Sequence, residues 1–286
     1  MSDDPIYGRA ERVIPGVRRL LAPNPGPFTF HGTGTYIVGE GRVAVIDPGP
    51  DDPAHRDALL AALNGETVTH ILVTHTHRDH SPLAAPLKAL TGAIVTGCAP
   101  LVLADDGPRS DAGFDDSYAP DEVMADGDCV SGPGWSLVAV ATPGHTSNHL
   151  CFAYPQQSAL FTGDHVMGWS TTVVSPPDGD MADYMASLEK LRSRDDRIYL
   201  PTHGAPIENP QRLVRGLILH RRQREQQILT AIDDGRREIP AMVMRMYSGV
   251  DPRLHVAAGR SVLAHLIDLE TRGMVARDGE SWRRAA

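Results

Sequence analysis

Thr74-His75-Thr76-His77-Arg78-Asp79-His80 places three imidazoles and a carboxylate in one short stretch that follows an apolar run. In a strand or its exit, residues two apart point to the same side. His75 and His77 can therefore meet one cation, while Asp79 and His80, after the chain turns, can reach a second. A buried core does not hold such groups side by side unless something satisfies them, which favours metal ligation over a solvated histidine-rich turn. Three further words put a histidine or aspartate beside glycine at a predicted strand exit: Pro143-Gly144-His145-Thr146, Thr162-Gly163-Asp164-His165 and Pro201-Thr202-His203-Gly204. Strand ends at one edge of a sheet bring distant residues together, so His145, Asp164 and His203 are expected to join the first cluster. Nitrogen and oxygen donors without a thiolate suit divalent ions, zinc first, with manganese or iron as alternatives. His31, His149 and His165 lie near these words or near a turn and are expected in supporting or surface roles.

The elements that must carry these residues can be read from hydrophobic periodicity. Thr35 to Val38 and Val43 to Ile46 form a strand pair around Gly39-Glu40-Gly41, and Asp47-Pro48-Gly49-Pro50 is a hard turn. Asp57 to Leu63 reads as a helix, Val68 to Thr74 as a buried strand, Leu83 to Leu90 as a helix and Ala93 to Thr96 as a strand. A Gly, Pro and Asp-rich loop, Ala104 to Asp121, follows, and with Gly168 to Asp183 it is expected to wall a substrate pocket. Trp169, Thr171, Thr172 and Tyr184 are candidate substrate contacts. Ser136 to Ala141, His149 to Tyr154, Ala159 to Thr162 and Arg197 to Leu200 read as strands, with a helix over Asp183 to Leu191. From Pro210 the pattern becomes helical: Gln211 to Ile232, Pro240 to Met246 and Leu254 to Thr271, then a small hairpin around Asp278-Gly279. Three helices and a hairpin are the layout of a winged helix, which divides the chain into a catalytic domain, 1–208, and a winged-helix-like C-terminal domain, 209–286.

The 286 residues, 41% apolar and 22% charged, suffice for a large folded core and exclude a disordered chain, collagen or a bare coiled coil. No apolar run is long enough for a bilayer, and the acidic N-terminus shows no secretory signal, so no membrane partner and a cytoplasmic location are expected. Cys98, Cys129 and Cys151 form no CxxC pair and read as free buried thiols. The net charge is −9, yet arginine outnumbers acid from Arg221 onward. Arg221, Arg222, Arg224, Arg236 and Arg237 could neutralise phosphates, although Glu225, Asp233, Asp234 and Glu238 are interleaved.

The set His75-x-His77-x-Asp79-His80, His145, Asp164 and His203 resembles the metallo-β-lactamase superfamily. Within it the chain looks most like the β-lactamase-like protein 2 group and its bacterial relatives. Asn24-Pro25-Gly26-Pro27, Gly34-Thr35-Tyr36-Ile37-Val38, Ile46-Asp47-Pro48-Gly49, Gly163-Asp164-His165-Val166, Asp183-Tyr184-Met185 with Ser187-Leu188, and His220 to Leu229 carry that similarity across both domains. The resemblance implies an α/β fold, an αββα sandwich with a dimetal site at one edge. It also implies that His75, His77 and His145 hold the first ion, that Asp79, His80 and His203 hold the second, and that Asp164 bridges them. Two departures, Ser81-Pro82-Leu83 where relatives often have Gly-Gly and Gly34 where Asn is common, bear on substrate geometry rather than on the ligands.

Two close divalent ions can share a water and lower its pKa to about 7, so the expected nucleophile is a metal-bridging hydroxide. Asp79 is the expected catalytic residue, orienting that water and accepting its proton. No Gly-x-Ser-x-Gly elbow occurs, which sets aside a serine triad. The expected activity is hydrolysis of a small ester, thioester or lactone, or of an RNA phosphodiester. The resemblance to the best-studied relatives points to a single-strand-preferring endoribonuclease, with single-stranded RNA as partner. β-Lactam hydrolysis is a minor reading, because true di-zinc β-lactamases usually lack an Asp like Asp164. A non-catalytic, metal-stabilised nucleic-acid-binding regulator is the reading of another class, and a homo-oligomer is left open.

Overall fold

The computed structural model describes residues 5–101, 113–249 and 251–285. Among these, β1 (Glu11–Ile14), β2 (Val17–Leu21), β3 (Gly34–Val38) and β4 (Arg42–Ile46) follow one another as antiparallel neighbours. The chain then crosses through α1 (Pro53–Ala62) to β5 (Thr67–Val73), through α2 (Ala84–Thr91) to β6 (Ile94–Gly97), and on to the short edge strand β7 (Glu122–Val123). β4 to β7 run parallel and complete a sheet in the order β1-β2-β3-β4-β5-β6-β7. Val43 to Ile46 and Ile71 to Val73 are buried throughout, as parallel strands covered on both faces must be. Helix α1 starts earlier than its apolar spacing suggests: Asp52 accepts the His55 backbone N–H at 2.8 Å, and Pro53 opens the first turn.

A second sheet has the order β12-β11-β10-β9-β8. It consists of β8 (Cys129–Gly132), β9 (Trp135–Ala141), β10 (Leu150–Tyr154), β11 (Ala159–Gly163) and β12 (Ile198–Pro201), with α3 (Met181–Arg192) as the crossover to the parallel strand β12. Tyr36, Ile37 and Leu72 of the first sheet meet Leu137, Phe152 and Phe161 of the second in one core. The outer face of the second sheet, with Leu160 and Tyr199, packs on Leu188 and Leu191 of α3. The layers are thus helix, sheet, sheet, helix, the expected αββα sandwich.

The C-terminal part comprises α4 (Pro210–Asp233), α5 (Ile239–Met246), α6 (His255–Thr271) and the hairpin β13 (Val275–Asp278) with β14 (Ser281–Arg284). Ile228 and Ile232, Met242, Leu266, Val275 and Trp282 make its own core. Helix α4 serves two cores: Val214, Leu217 and Ile218 in its first half pack against the sandwich, and Ile228 to Ile232 against the winged helix.

The strands β1, β2, β7 and β8 were not expected from periodicity. They are short and partly exposed, so alternation is weak in them. Cys98 and Cys151 are buried free thiols, but Cys129 is exposed at the sheet edge, contrary to expectation. Of the loop expected over Ala104 to Asp121, residues up to 112 lie outside the described part. The remainder docks on the histidine turn, with the Asp115 N–H on the Thr76 carbonyl at 2.8 Å. Among the described residues no helix is long and apolar enough to cross a membrane.

Candidate metal centre

The seven residues singled out by sequence meet where β5, β9, β11 and β12 end. His75, His77, His145 and Asp164 bring one ligand atom each to within 4.8 Å of one another, and Asp79, His80 and His203 form a second such group. His75 Nε2 lies 3.0 Å from His77 Nδ1, and His145 Nε2 lies 3.2 Å from the same atom. Three ring nitrogens around one point are the geometry of a cation site rather than of a pairwise hydrogen bond. Asp164 straddles the groups, with Oδ1 3.3 Å from His203 Nε2 and Oδ2 3.8 Å from His145 Nε2. Asp79 Oδ2 lies 3.2 Å from His203 Nε2 and 3.4 Å from His80 Nε2.

On His80, His145 and His203 the outer nitrogen is already engaged, which turns the inner one toward the centre. His80 Nδ1 donates to Asp47 Oδ2 at 3.0 Å, His145 Nδ1 to the Val173 carbonyl at 2.7 Å, and His203 Nδ1 to the Gly32 carbonyl at 3.1 Å. His80 Nε2 and Asp164 Oδ1 are buried without a hydrogen-bond partner among the described residues, 3.6 Å apart. Such atoms cost free energy when left unsatisfied. Five imidazoles and two carboxylates so disposed fit two divalent ions.

Charge within the cluster is balanced internally. Burial disfavours the carboxylate of Asp79, but His80 and His203 outweigh it and hold this group well below the ordinary range; the same histidines do so for Asp164. Conversely, burial disfavours the His203 imidazolium, but Asp164 and Asp79 push it up to about 10. His75 faces mainly other histidines, so burial and their charges lower it well below the ordinary value.

Several residues that support the centre escaped the sequence reading. Asp47, placed in a turn and given no role at the site, is a buried hub: its carboxylate accepts the Thr74 N–H and hydroxyl, each at 2.8 Å, and the Thr202 hydroxyl at 3.2 Å. It adopts φ 47° immediately after β4, and an Asp carried in that position at a parallel strand's exit was the available signal. Thr33 donates to Asp79 Oδ2 at 2.9 Å and is itself held by Asn24. His149 accepts the Asp164 N–H at 3.2 Å, a supporting role as expected. His165 is buried against the Tyr184 ring at 4.8 Å, and His31 offers its backbone carbonyl to Tyr7. Gly144 admits His145 to the centre: its φ is 132°, and a Cβ there would sit 2.3 Å from Tyr184 Cα.

Above the donors opens a pocket with His77, Asp79, His145, Asp164 and His203 on its floor and Pro27, Phe28, Met167, Trp169 and Val173 on its walls. Phe30 stacks on Trp169 at its rim, ring centroids 4.9 Å apart. Trp169 and Thr171 line the pocket as expected. Thr172 and Tyr184 do not: the Thr172 hydroxyl faces the Asp164 and His165 carbonyls, and the Tyr184 hydroxyl donates to the His165 carbonyl.

The tail arginines are also placed differently from expectation. Arg221 is buried, Arg222 pairs with Glu189 at 3.2 Å, Arg224 lies over the Tyr247 ring and Arg236 is 3.5 Å from Asp234. Arg221 is thus withdrawn from the surface, whereas Arg222 and Arg236 remain exposed in surface ion pairs.

Comparison with known proteins agrees with this architecture. Residues 28–203 match the family model described as the metallo-beta-lactamase superfamily, and residues 239–282 match the beta-lactamase associated winged helix domain. An atrochrysone carboxyl ACP thioesterase of Aspergillus fumigatus is 35% identical over 240 residues, covering 82% of this chain and 70% of that protein. The atrochrysone carboxyl ACP thioesterase dmxR1 of a Cryptosporiopsis species is 31% identical over 238 residues, covering 81% and 67%. In fold, a beta-lactamase domain protein from Burkholderia ambifaria superposes with a TM-score of 0.81 at 22% identity, covering 99% of this chain and 96% of that one. These names do not single out the β-lactamase-like protein 2 group.

Proposed function

The chain belongs to the metallo-beta-lactamase superfamily, and from that premise we propose that it is a dimetal hydrolase of acyl thioesters, acting on an acyl group carried by a protein-bound or small thiol. His75, His77 and His145 would hold one ion, Asp79, His80 and His203 the other, with Asp164 shared between them. When bound, the ions would supply Lewis acidity and an activated water. The remaining chemistry falls to side chains of the chain itself. Asp79, kept as a carboxylate and oriented by the Thr33 hydroxyl, is an acceptor positioned to orient the attacking water. Pro27, Phe28, Met167 and Val173 exclude bulk water from the acyl group. Residues 1–208 would supply this site and residues 209–286 the appended winged-helix unit.

The observation that carries the reading is the composition of the pocket. Among the described residues that line it, beyond the donors themselves, only hydroxyls and the Trp169 indole are polar. Among the described residues no separate general acid is therefore at hand for a leaving alkoxide or amide nitrogen. A thiol, with a pKa of about 8.5, departs as thiolate without one. Water adds its oxygen to the carbonyl carbon, the carbon–sulfur bond breaks, and a water proton ends on the released thiol. The relatives named as ACP thioesterases support the same choice over an RNA phosphodiester.

The test is a panel of an aromatic acyl thioester, the corresponding oxygen ester, short single-stranded RNA and nitrocefin, each with zinc-loaded protein. Thioester turnover, lost by about a hundredfold or more in Asp79→Asn, is the expected result. RNA cleavage without thioester turnover would overturn it.

A further inference from the structure

We propose that Arg221, on the C-terminal helix α4, is a positioning residue for the metal centre, acting through residues 172–176. The inference rests on the metal reading above. Arg221 is only 3% exposed, and among the described residues it pairs with no carboxylate. A buried, unpaired guanidinium is costly, so what it touches matters. One terminal nitrogen donates to the Thr172 carbonyl, and the guanidinium lies over the Tyr184 ring at 5.0 Å.

The segment it grips is in direct contact with two of the proposed ligands. The Thr172 hydroxyl lies 2.7 Å from the Asp164 carbonyl and 3.0 Å from that of His165, donating its proton between them. The next carbonyl, of Val173, takes the Nδ1 proton of His145 at 2.7 Å and so leaves Nε2 facing the centre. Two consecutive residues thus fix the backbone of Asp164 and the ring of His145. Helix α6 provides a second grip: Arg260 Nε lies 3.3 Å from Ser175 Oγ, and its terminal nitrogen donates to the Pro176 carbonyl. Two of the three tail helices, α4 and α6, hold one strap, and the strap holds two of the proposed metal ligands. The winged-helix unit is on this account part of the active-site framework rather than a separate reader of nucleic acid.

The test is competition for zinc between metal-free protein and a chromophoric chelator, which reads affinity independently of any substrate. Arg221→Met and Thr172→Val are each expected to bind one of the two ions about tenfold or more weakly. Thr172→Ser, which keeps the hydroxyl, and Arg222→Met, on the exposed face of the same helix, are expected to match wild type. In thioester assays the weakened variants should lose kcat with little change in KM. Arg221→Met that stays folded by circular dichroism and binds both ions as wild type does would overturn the proposal. Should Arg221→Met fail to fold, wild-type affinity in Thr172→Val overturns it instead. Wild-type protein taking up fewer than two zinc ions contradicts the metal reading, whereas variants matching a two-zinc wild type contradict the positioning role alone.

Discussion

Asp47 and His80 face one another beneath the candidate metal centre, Asp47 Oδ2 accepting the His80 Nδ1 proton at 3.0 Å across a separation of 33 residues. The contact joins the end of β4 to the turn after β5, two parallel neighbours whose pairing brings both strand exits to the same edge. Asp47 also takes the Thr74 and Thr202 hydroxyls, so one carboxylate sets the start of the histidine turn and the approach to His203. Asp47→Ala is expected to weaken zinc binding about 10- to 100-fold, the usual loss when a ligand's outer partner is removed. Chelator competition measures it, and undiminished affinity would show that His80 is held by packing alone.

Trp169 walls the pocket and is stacked by Phe30, yet neither ring belongs to the donor set. Truncating it removes contact made equally by bound substrate and transition state. Trp169→Ala should therefore raise KM for an aromatic thioester roughly fivefold, about 1 kcal/mol, with kcat nearly unchanged. A loss confined to kcat would instead place Trp169 among the groups that orient the reacting carbonyl.

The convergence of the seven residues was legible, because histidine and aspartate beside glycine at strand ends have few other reasons to occur together. Asp47 was not, because an aspartate before Pro-Gly is equally a turn residue, and only the β4–β5 pairing shows what its carboxylate meets. The tail illustrates the opposite error. Arg221, Arg222 and Arg224 read as a basic surface, but helical spacing turns Arg221 into the interior and lays Arg224 on Tyr247. A charged residue at a core position of an amphipathic helix is invisible to a charge count. The long strands and helices emerged within a few residues, whereas β1, β2, β7 and β8 needed their neighbours to form.

His265 gives the tail a definite pH dependence. Burial, followed by the charges of Arg221, His220, Arg272 and Arg224, lowers it from the ordinary 6.5 to about 3. The unfolded chain takes up the proton near its ordinary value and the folded chain only near 3. Its stabilising contribution is thus complete above about pH 6.5 and declines as pH falls toward 3, by up to about 1.4 kcal/mol per pH unit. His265→Gln should flatten the acid limb of urea unfolding midpoints between about pH 6 and pH 4. An unchanged slope would assign acid sensitivity to other buried histidines, His165 first among them, which burial also lowers to about 3.

The most direct test of the central claim is to strip the protein with chelator and add back zinc in steps while following thiol release from an acyl thioester. Negligible activity at the start, a rise with added metal and a plateau at two equivalents per chain are the expected result. Full thioesterase activity in the stripped protein, or a plateau at one equivalent with no further uptake, would contradict it.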